Sequence, residues 1–283
     1  MISGTTGILG ICGHPVGHSL SPAMQNEALK ACGLNCVYVP FDVPPEHIGQ
    51  AVQALRALGI LGVNVTVPHK TAVMPFLDQL DRSARLAGAV NVIANQQGVL
   101  TGYNTDGAGL VRSLKEDLNV IVSGKRIMII GAGGAARGAV AALCDAGCRR
   151  ISISNRSRER ADLLAEMITV TWPGVDGAVV TPDHFSQELA SADLLINTTT
   201  LGMRGEAVPG LNLSDLPLSA AVYDMVYAPS RTPLLQEAES RGIAWANGLG
   251  MLAAQGELAF EIWTGCQAPA GLMKSVLARV CEP

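Results

Sequence analysis

The stretch RIMIIGAGGAARGAVAALCDAG (126–147) joins an apolar run to an Ala-rich one through a cluster of glycines. Gly131 and Gly133 permit a tight turn there. They also let backbone N–H groups approach a pyrophosphate at a helix N-terminus. Gly134 adds freedom, and Ala136, in the third fingerprint position, still allows close helix–strand packing. Set between a strand and a helix, the pattern predicts dinucleotide binding. The next apolar run ends in SNRSRERA, with Asn155, Arg156, Ser157, Arg158 and Arg160. A site for NAD places an acid at that tip to accept from the ribose 2′-hydroxyl. This chain has guanidinium groups instead, which suit a 2′-phosphate. NADP is therefore the expected cofactor. The plainer use of the same residues is a solvated helix start capped by Ser157.

A second set of polar residues lies in the first third of the chain, each group at the end of an apolar segment. In GHPVGHSLSP, Ser19 and Ser21 stand two apart and face one way in an extended stretch. Ser21 followed by Pro22 also reads as an N-cap and first helical residue. Two hydroxyls at a helix start suit a carboxylate. The run NVTVPHK carries Asn64, Thr66 and, two residues past Pro68, Lys70. Val63, Val65 and Val67 alternate with them and read as the buried side. Asn91 falls inside the apolar GAVNVI; a buried amide must be hydrogen-bonded, whether to protein or to ligand. In GYNTDGAG, either Thr105 or Asp106 would cap the helix that follows Asn104. Ligands of open α/β sheets sit at the carboxyl ends of strands, where these clusters fall.

The elements that must position these groups alternate almost throughout. Strands are expected at 7–12, 36–43, 60–67 and 89–95. A second series follows at 126–131, 151–155, 177–180, 193–197, 221–225 and 243–247. Helices are expected at 22–31, 46–58, 105–118, 134–146 and 157–168. This order predicts an α/β protein with largely parallel sheets. The restart at SGKRIMII predicts two sheets in two domains. The boundaries are set at 1–106, 107–247 and a tail of 248–283, which reads as two helices.

Composition excludes several functions. The 283 residues are 48% hydrophobic and 16% charged, with a net charge of −4 and no basic stripe. Nucleic acid is not an expected partner. No run reaches the roughly 18 apolar residues of a membrane span, and the N-terminus lacks the basic start of a signal peptide. Seven cysteines are scattered without metal-ligand spacing and read as free thiols in a reducing compartment. A cytoplasmic protein without a metal is expected.

The motifs HSLSP, GVNVTVPHK, GAVNVI, GYNTDGAG, GAGGAARG, NRSRERA, NTTTLGM, DMVYAP with TPLL, and GLGMLAAQG occur in this order. Together they resemble the shikimate dehydrogenase family over nearly the whole chain. The resemblance implies an N-terminal α/β substrate domain, a Rossmann domain, and C-terminal helices packing back on the first. It implies interconversion of shikimate and 3-dehydroshikimate with NADP(H), in aromatic amino-acid biosynthesis. By the same match, Lys70 is the catalytic lysine and Asp106 its partner acid. Ser19 and Ser21 hold the substrate carboxylate. Thr66, Asn91, Gln255 and Tyr227 contact the rest of the substrate. The pyrophosphate loop spans Gly131, Ala132, Gly133, Gly134 and Ala135. Asn155, Arg156 and Arg160, with Ser157 between them, clamp the 2′-phosphate, while Met225 and Gly248 lie near the nicotinamide. Val92, Gln25 and Leu110 depart from the family pattern without removing a named role.

The implied reaction moves a hydride to or from C4 of the nicotinamide and one proton at the substrate oxygen. A lysine starts near pKa ~10.4, so it is a general base only if desolvated. A charged Lys70 would instead polarise the oxygen while the proton moves by relay. Both uses are open at this level. The shared skeleton also leaves room for a quinate/shikimate or aminoshikimate dehydrogenase, and for a non-catalytic NADP-binding regulator. The expected partner is a small molecule, and the chain is expected to be a monomer or homodimer.

Overall fold

The structure, a computed structural model, describes residues 2–281; the side chain of Cys281, counted above among the free thiols, lies outside the described residues. It divides into two units. The first comprises the residues up to Gly109 and those from Leu252 onward, and the second comprises Leu110–Met251.

The first unit is built on β1 (Gly7–Gly13), α1 (Ser21–Ala31), β2 (Cys36–Asp42), α2 (Ile48–Ala57), β3 (Gly62–Val65), β4 (Gln79–Leu80), α3 (Arg82–Ala87), β5 (Val92–Gln96) and β6 (Val99–Tyr103). Among the described residues these strands form a six-stranded sheet in the order β2-β1-β3-β5-β6-β4. Its left half is parallel, as β1 pairs β2 and β3 in register. Its right half departs from the expected parallel pattern, because β5 runs antiparallel to both β3 and β6. The cause is local. Gln97 and Gly98 both take positive φ, 54° and 89°, which closes a two-residue hairpin between Gln96 and Val99. The strand at 99–103 was not expected, nor was the short β4.

Two further expectations are corrected here. The run at 60–67 is a strand only from Gly62 to Val65, so Val67 is not on a buried face but 69% exposed. All four residues of β3, Asn64 included, are buried on both faces of the sheet. Ser21 is the first residue of α1 rather than its N-cap; Leu20 holds the cap position and no side chain caps the helix.

The chain leaves the first unit through α4 (Asp106–Leu118) and enters the second. There β7 (Arg126–Ile130), α5 (Gly134–Asp145), β8 (Arg150–Ser154), α6 (Arg158–Thr171), β9 (Asp176–Val179), α7 (Phe185–Leu189), β10 (Leu194–Asn197), β11 (Ala221–Asp224), α8 (Pro233–Ser240) and β12 (Ala244–Asn247) follow. Among the described residues the sheet has six strands, all parallel, in the order β12-β11-β10-β7-β8-β9. Counted from β7 this is the 3-2-1-4-5-6 order of a Rossmann fold. The strands are apolar runs such as IMII and LLIN because both faces are buried.

Two helices end the chain: α9 (Leu249–Thr264) and α10 (Leu272–Cys281). From Leu252 onward they belong to the first unit. Gly256 brings α9 against α1: a Cβ there would stand 2.5 Å from Met24 Cε. Gln25 Nε2 donates to Gly256 O at 2.9 Å. Further along, Trp263 Nε1 donates to Ile93 O at 3.0 Å and lies over Gly62, where a Cβ would clash with the indole. The tail therefore covers both α1 and the middle of the first sheet.

Candidate active site

In the first unit the end of β3 sets up the polar cluster. Thr66 N donates to Cys12 O at 2.9 Å, which carries the sheet pattern one residue beyond Val65. Pro68 then offers no donor, and the chain turns, closed by His69 N to Thr66 O at 2.8 Å. The buried His69 ring donates through Nε2 to Val43 O at 2.7 Å, pinning the turn. Lys70 follows, its carbonyl accepting from Val90 N at 2.7 Å.

Lys70 Nζ donates to Asp106 Oδ2 at 2.6 Å. Asp106 is the first residue of α4, where the helix dipole favours a carboxylate. Its second oxygen, Oδ1, accepts from Asn91 Nδ2 at 2.8 Å, and its backbone N–H donates to Asn104 Oδ1 at 3.1 Å. Asn91 therefore resolves to a double use. Its Oδ1 accepts from Thr105 N at 2.8 Å while its amide holds the carboxylate. Gln255, on α9, approaches Asn91 Nδ2 with Oε1 at 3.4 Å and accepts Thr105 Oγ1 on its backbone oxygen at 3.1 Å.

Ser19 and Ser21 lie at the start of α1, with Ser21 N donating to Ser19 Oγ at 3.3 Å. Tyr38 lies on β2 with its side chain buried. Its hydroxyl donates to Asn64 Oδ1 at 2.7 Å, and Asn64 Nδ2 donates to Asn91 O at 3.1 Å. One hydrogen-bonded series thus runs from Tyr38 through Asn64 to Asn91, which bonds the Asp106 carboxylate. Tyr38 was not singled out from the sequence. Its signal was present: a tyrosine inside an apolar strand needs a partner for its hydroxyl.

The second unit holds the glycine loop between β7 and α5. Gly131 has φ +113°, and a Cβ there would stand 2.4 Å from Thr198 Oγ1. No atom lies within 4 Å of where a Cβ would stand at Gly133 or Gly134. That open cradle at a helix N-terminus fits a pyrophosphate. Asn155 Oδ1 accepts from Ala132 N at 3.2 Å and its Nδ2 donates to Ser157 O at 2.8 Å, which ties the loop to the tip of β8. Ser157 occupies the N-cap position of α6, yet its hydroxyl makes no capping bond. Arg156, Arg158 and Arg160 are exposed. Arg158 meets Asp162 at 3.7 Å; among the described residues no carboxylate pairs with Arg156 or Arg160.

Met225, Tyr227 and Gly248 are also in this unit. Gly248 packs on Met225 so closely that a Cβ would stand 2.2 Å from its carbonyl oxygen. A further group was missed from the sequence. Asp224, fully buried at the end of β11, accepts from Asn197 Nδ2 at 2.9 Å, Val226 N at 3.0 Å and Thr232 Oγ1 at 2.7 Å. Burial pushes its carboxyl above the usual range. It fixes the segment that carries Met225 and Tyr227.

Among the described residues no group of three His, Cys, Asp or Glu side chains is placed to hold a metal, and no helix is long and apolar enough to cross a membrane.

Comparison with known proteins bears on the chain as a whole. Residues 11–93 match the shikimate dehydrogenase substrate binding domain, 113–202 the shikimate/quinate 5-dehydrogenase family, and 248–278 the shikimate 5′-dehydrogenase C-terminal domain. A shikimate dehydrogenase (NADP+) of Geobacter sulfurreducens is 50% identical over 277 residues, 97% of each chain. A shikimate dehydrogenase solved in complex with NADP+ is 39% identical with a TM-score of 0.92, covering 100% of this chain and 98% of its own. The Listeria monocytogenes shikimate 5-dehydrogenase, solved with shikimate and NAD, is 38% identical with a TM-score of 0.91 over 98% of both chains. The motifs, the two folded units and these full-length likenesses agree, and the chain belongs to the shikimate dehydrogenase family.

Proposed function

We propose that the chain reversibly converts 3-dehydroshikimate and NADPH to shikimate and NADP+. The observation that carries this is the Lys70–Asp106 contact at 2.6 Å, with Asn91 holding the second carboxylate oxygen. The Lys70–Asp106 pair suits a reacting hydroxyl, and the hydroxyls of Ser19 and Ser21 suit a carboxylate.

Ser19 and Ser21 hold the substrate carboxylate by hydroxyl donation. Thr66, Asn91, Gln255 and Tyr227 orient the ring hydroxyls. NADP, when bound, supplies the hydride chemistry. In the oxidation direction the ring C–H electron pair leaves as hydride, and the O–H proton passes to the Lys70–Asp106 pair. In reduction the pair returns that proton to the carbonyl oxygen. Asp106 accepts from two donors at once, so its carboxylate keeps one orientation while Lys70 handles the reacting oxygen. The backbone of Gly131, Ala132, Gly133, Gly134 and Ala135 receives the pyrophosphate. Arg156 and Arg160, with Asn155 and Ser157, receive the 2′-phosphate. Met225 and Gly248 flank the nicotinamide.

By this reading residues 1–106 bind substrate, 107–247 bind NADP, and 248–283 return to the substrate-binding part. The chain works in the cytoplasm as a monomer or homodimer. Steady-state kinetics on shikimate and quinate with NADP+ and NAD+ test the assignment. The highest kcat/KM is expected for shikimate with NADP+. A preference for quinate or for NAD+ would contradict it.

A further inference from the structure

Asn197 ends β10 in the second unit, fully buried, and the proposed reaction gives it no part. Its amide has two donors and two acceptor sites, and all of them are used. Oδ1 accepts from Thr199 N at 3.0 Å and from Thr199 Oγ1 at 2.7 Å. Nδ2 donates to Leu201 O at 3.0 Å and to Asp224 Oδ1 at 2.9 Å. A backbone N–H can only donate, so Thr199 fixes which end of the amide is oxygen. The nitrogen must then face Asp224, the residue beside Asn197 in the register of β10 and β11.

Two turns meet at this contact. The first, residues 198–202, winds round the Asn197 amide and abuts the glycine loop. Thr198 bonds Ile130 O through its N at 2.9 Å and its Oγ1 at 2.8 Å. That hydroxyl stands 2.4 Å from where a Cβ would be at Gly131. The second turn winds round the Asp224 carboxylate. Oδ1 also accepts from Val226 N at 3.0 Å, and Oδ2 accepts from Thr232 Oγ1 at 2.7 Å, so the carboxylate holds the segment of Met225 and Tyr227 at both ends. Gly202 of the first turn, at φ +101°, presses on Thr232 of the second: a Cβ there would stand 2.9 Å from Thr232 Cγ2. Two buried side chains joined by one hydrogen bond thus hold both turns, at the carboxyl end of the sheet where ligands of this fold sit.

We infer that Asn197 is a positioning residue for the cofactor: through Asp224 it holds the Met225–Tyr227 segment in place for the nicotinamide. This role rests on the proposed NADP binding, with Met225 beside that ring. The adenosine end does not depend on the amide. The glycine loop has its own anchors there, Gly131 N to Ser154 O at 2.7 Å and Ala132 N to Asn155 Oδ1 at 3.2 Å.

Asn197→Asp tests the role, because it keeps the shape and turns the two donors into an oxygen facing the Asp224 carboxylate. The probes are NADP+ and adenosine 2′,5′-bisphosphate, which keeps the 2′-phosphate end and lacks the nicotinamide. Titration calorimetry at about pH 8, where both carboxylates are ionised in the ordinary range, gives both Kd values. The Kd for NADP+ should rise about tenfold, while that for the bisphosphate stays within about twofold. Thr232→Val is a milder second variant that removes only the outer hydroxyl. It should raise the NADP+ Kd about threefold in the same selective way, and Thr232→Ser should restore it. A merely structural role would weaken both ligands together or neither. Absence of NADP+ binding by the wild type would refute the proposed function itself. Normal wild-type binding, with both Kd values unchanged or raised alike in Asn197→Asp and Thr232→Val, would overturn the positioning role alone.

Discussion

Lys70 and Asp106 are 36 positions apart in the chain, and their side chains meet at 2.6 Å. Neither arrives by chance. Lys70 is delivered by a turn that His69 pins to Val43. Asp106 is delivered as the first residue of α4, with Asn91 on its other oxygen. The contact exists because the end of β3 and the end of β6 lie on either side of β5 in the sheet.

Asn91 is the joint of this arrangement. Asn91→Ala leaves the buried Thr105 N–H without its acceptor and frees one oxygen of Asp106. A loss of about 1–3 kcal/mol of stability is expected from the unpaired donor. Chemical denaturation should show it as a lower midpoint with unchanged slope. kcat should fall as well, because the carboxylate is no longer held. A variant with wild-type stability and turnover would show that Asn91 is a bystander.

The arginines at the tip of β8 should decide the cofactor. Charge-assisted hydrogen bonds contribute roughly 1.5–3 kcal/mol each. Arg156→Ala with Arg160→Ala should therefore raise the KM for NADP+ by roughly 100-fold or more and leave that for NAD+ little changed. Initial rates with each cofactor measure this. An unaltered ratio of the two would remove the clamp from the account.

Asp224 makes a prediction about pH. Burial holds its carboxyl above the usual range in the folded chain. The folded state therefore binds that proton more tightly than the unfolded state does. Its contribution is present below the ordinary aspartate range and is lost as pH rises through the elevated value. Asp224→Asn does not titrate, and Thr232 can turn its hydroxyl to accept from the new amide. The Tm of the variant relative to wild type should climb as pH rises from about 4. Thermal melts across that range check it; a constant difference would contradict it.

Much of this was legible in the residues. Glycines in a strand–turn–helix context announce a tight turn because few other residues allow that backbone, and Gly131 stands there at φ +113°. Polar residues at the ends of apolar runs announced the cluster around Lys70, because buried polar groups must be paired. Other features were hidden for physical reasons. A tyrosine in a strand signals that its hydroxyl needs a partner, but not that the partner is Asn64, 26 positions on. The alternation in NVTVPHK promised a buried Val67, but the strand ends at Val65 and nothing covers the residue beyond the turn. Which half of the first sheet is antiparallel depends on a two-residue turn at Gln97-Gly98, too short to stand out beside the longer runs. Asp224 was quoted only as part of DMVYAP; its partners Asn197, Val226 and Thr232 come together only in the fold.

The central claim is that Lys70, held by Asp106, manages the proton at the reacting oxygen. Single-turnover formation of NADPH from shikimate and NADP+ by Lys70→Ala, both ligands saturating, tests it most directly. General acid–base groups contribute roughly 100- to 10,000-fold, so the rate should fall within that range while shikimate affinity changes little. Near-wild-type hydride transfer in that variant would contradict the account.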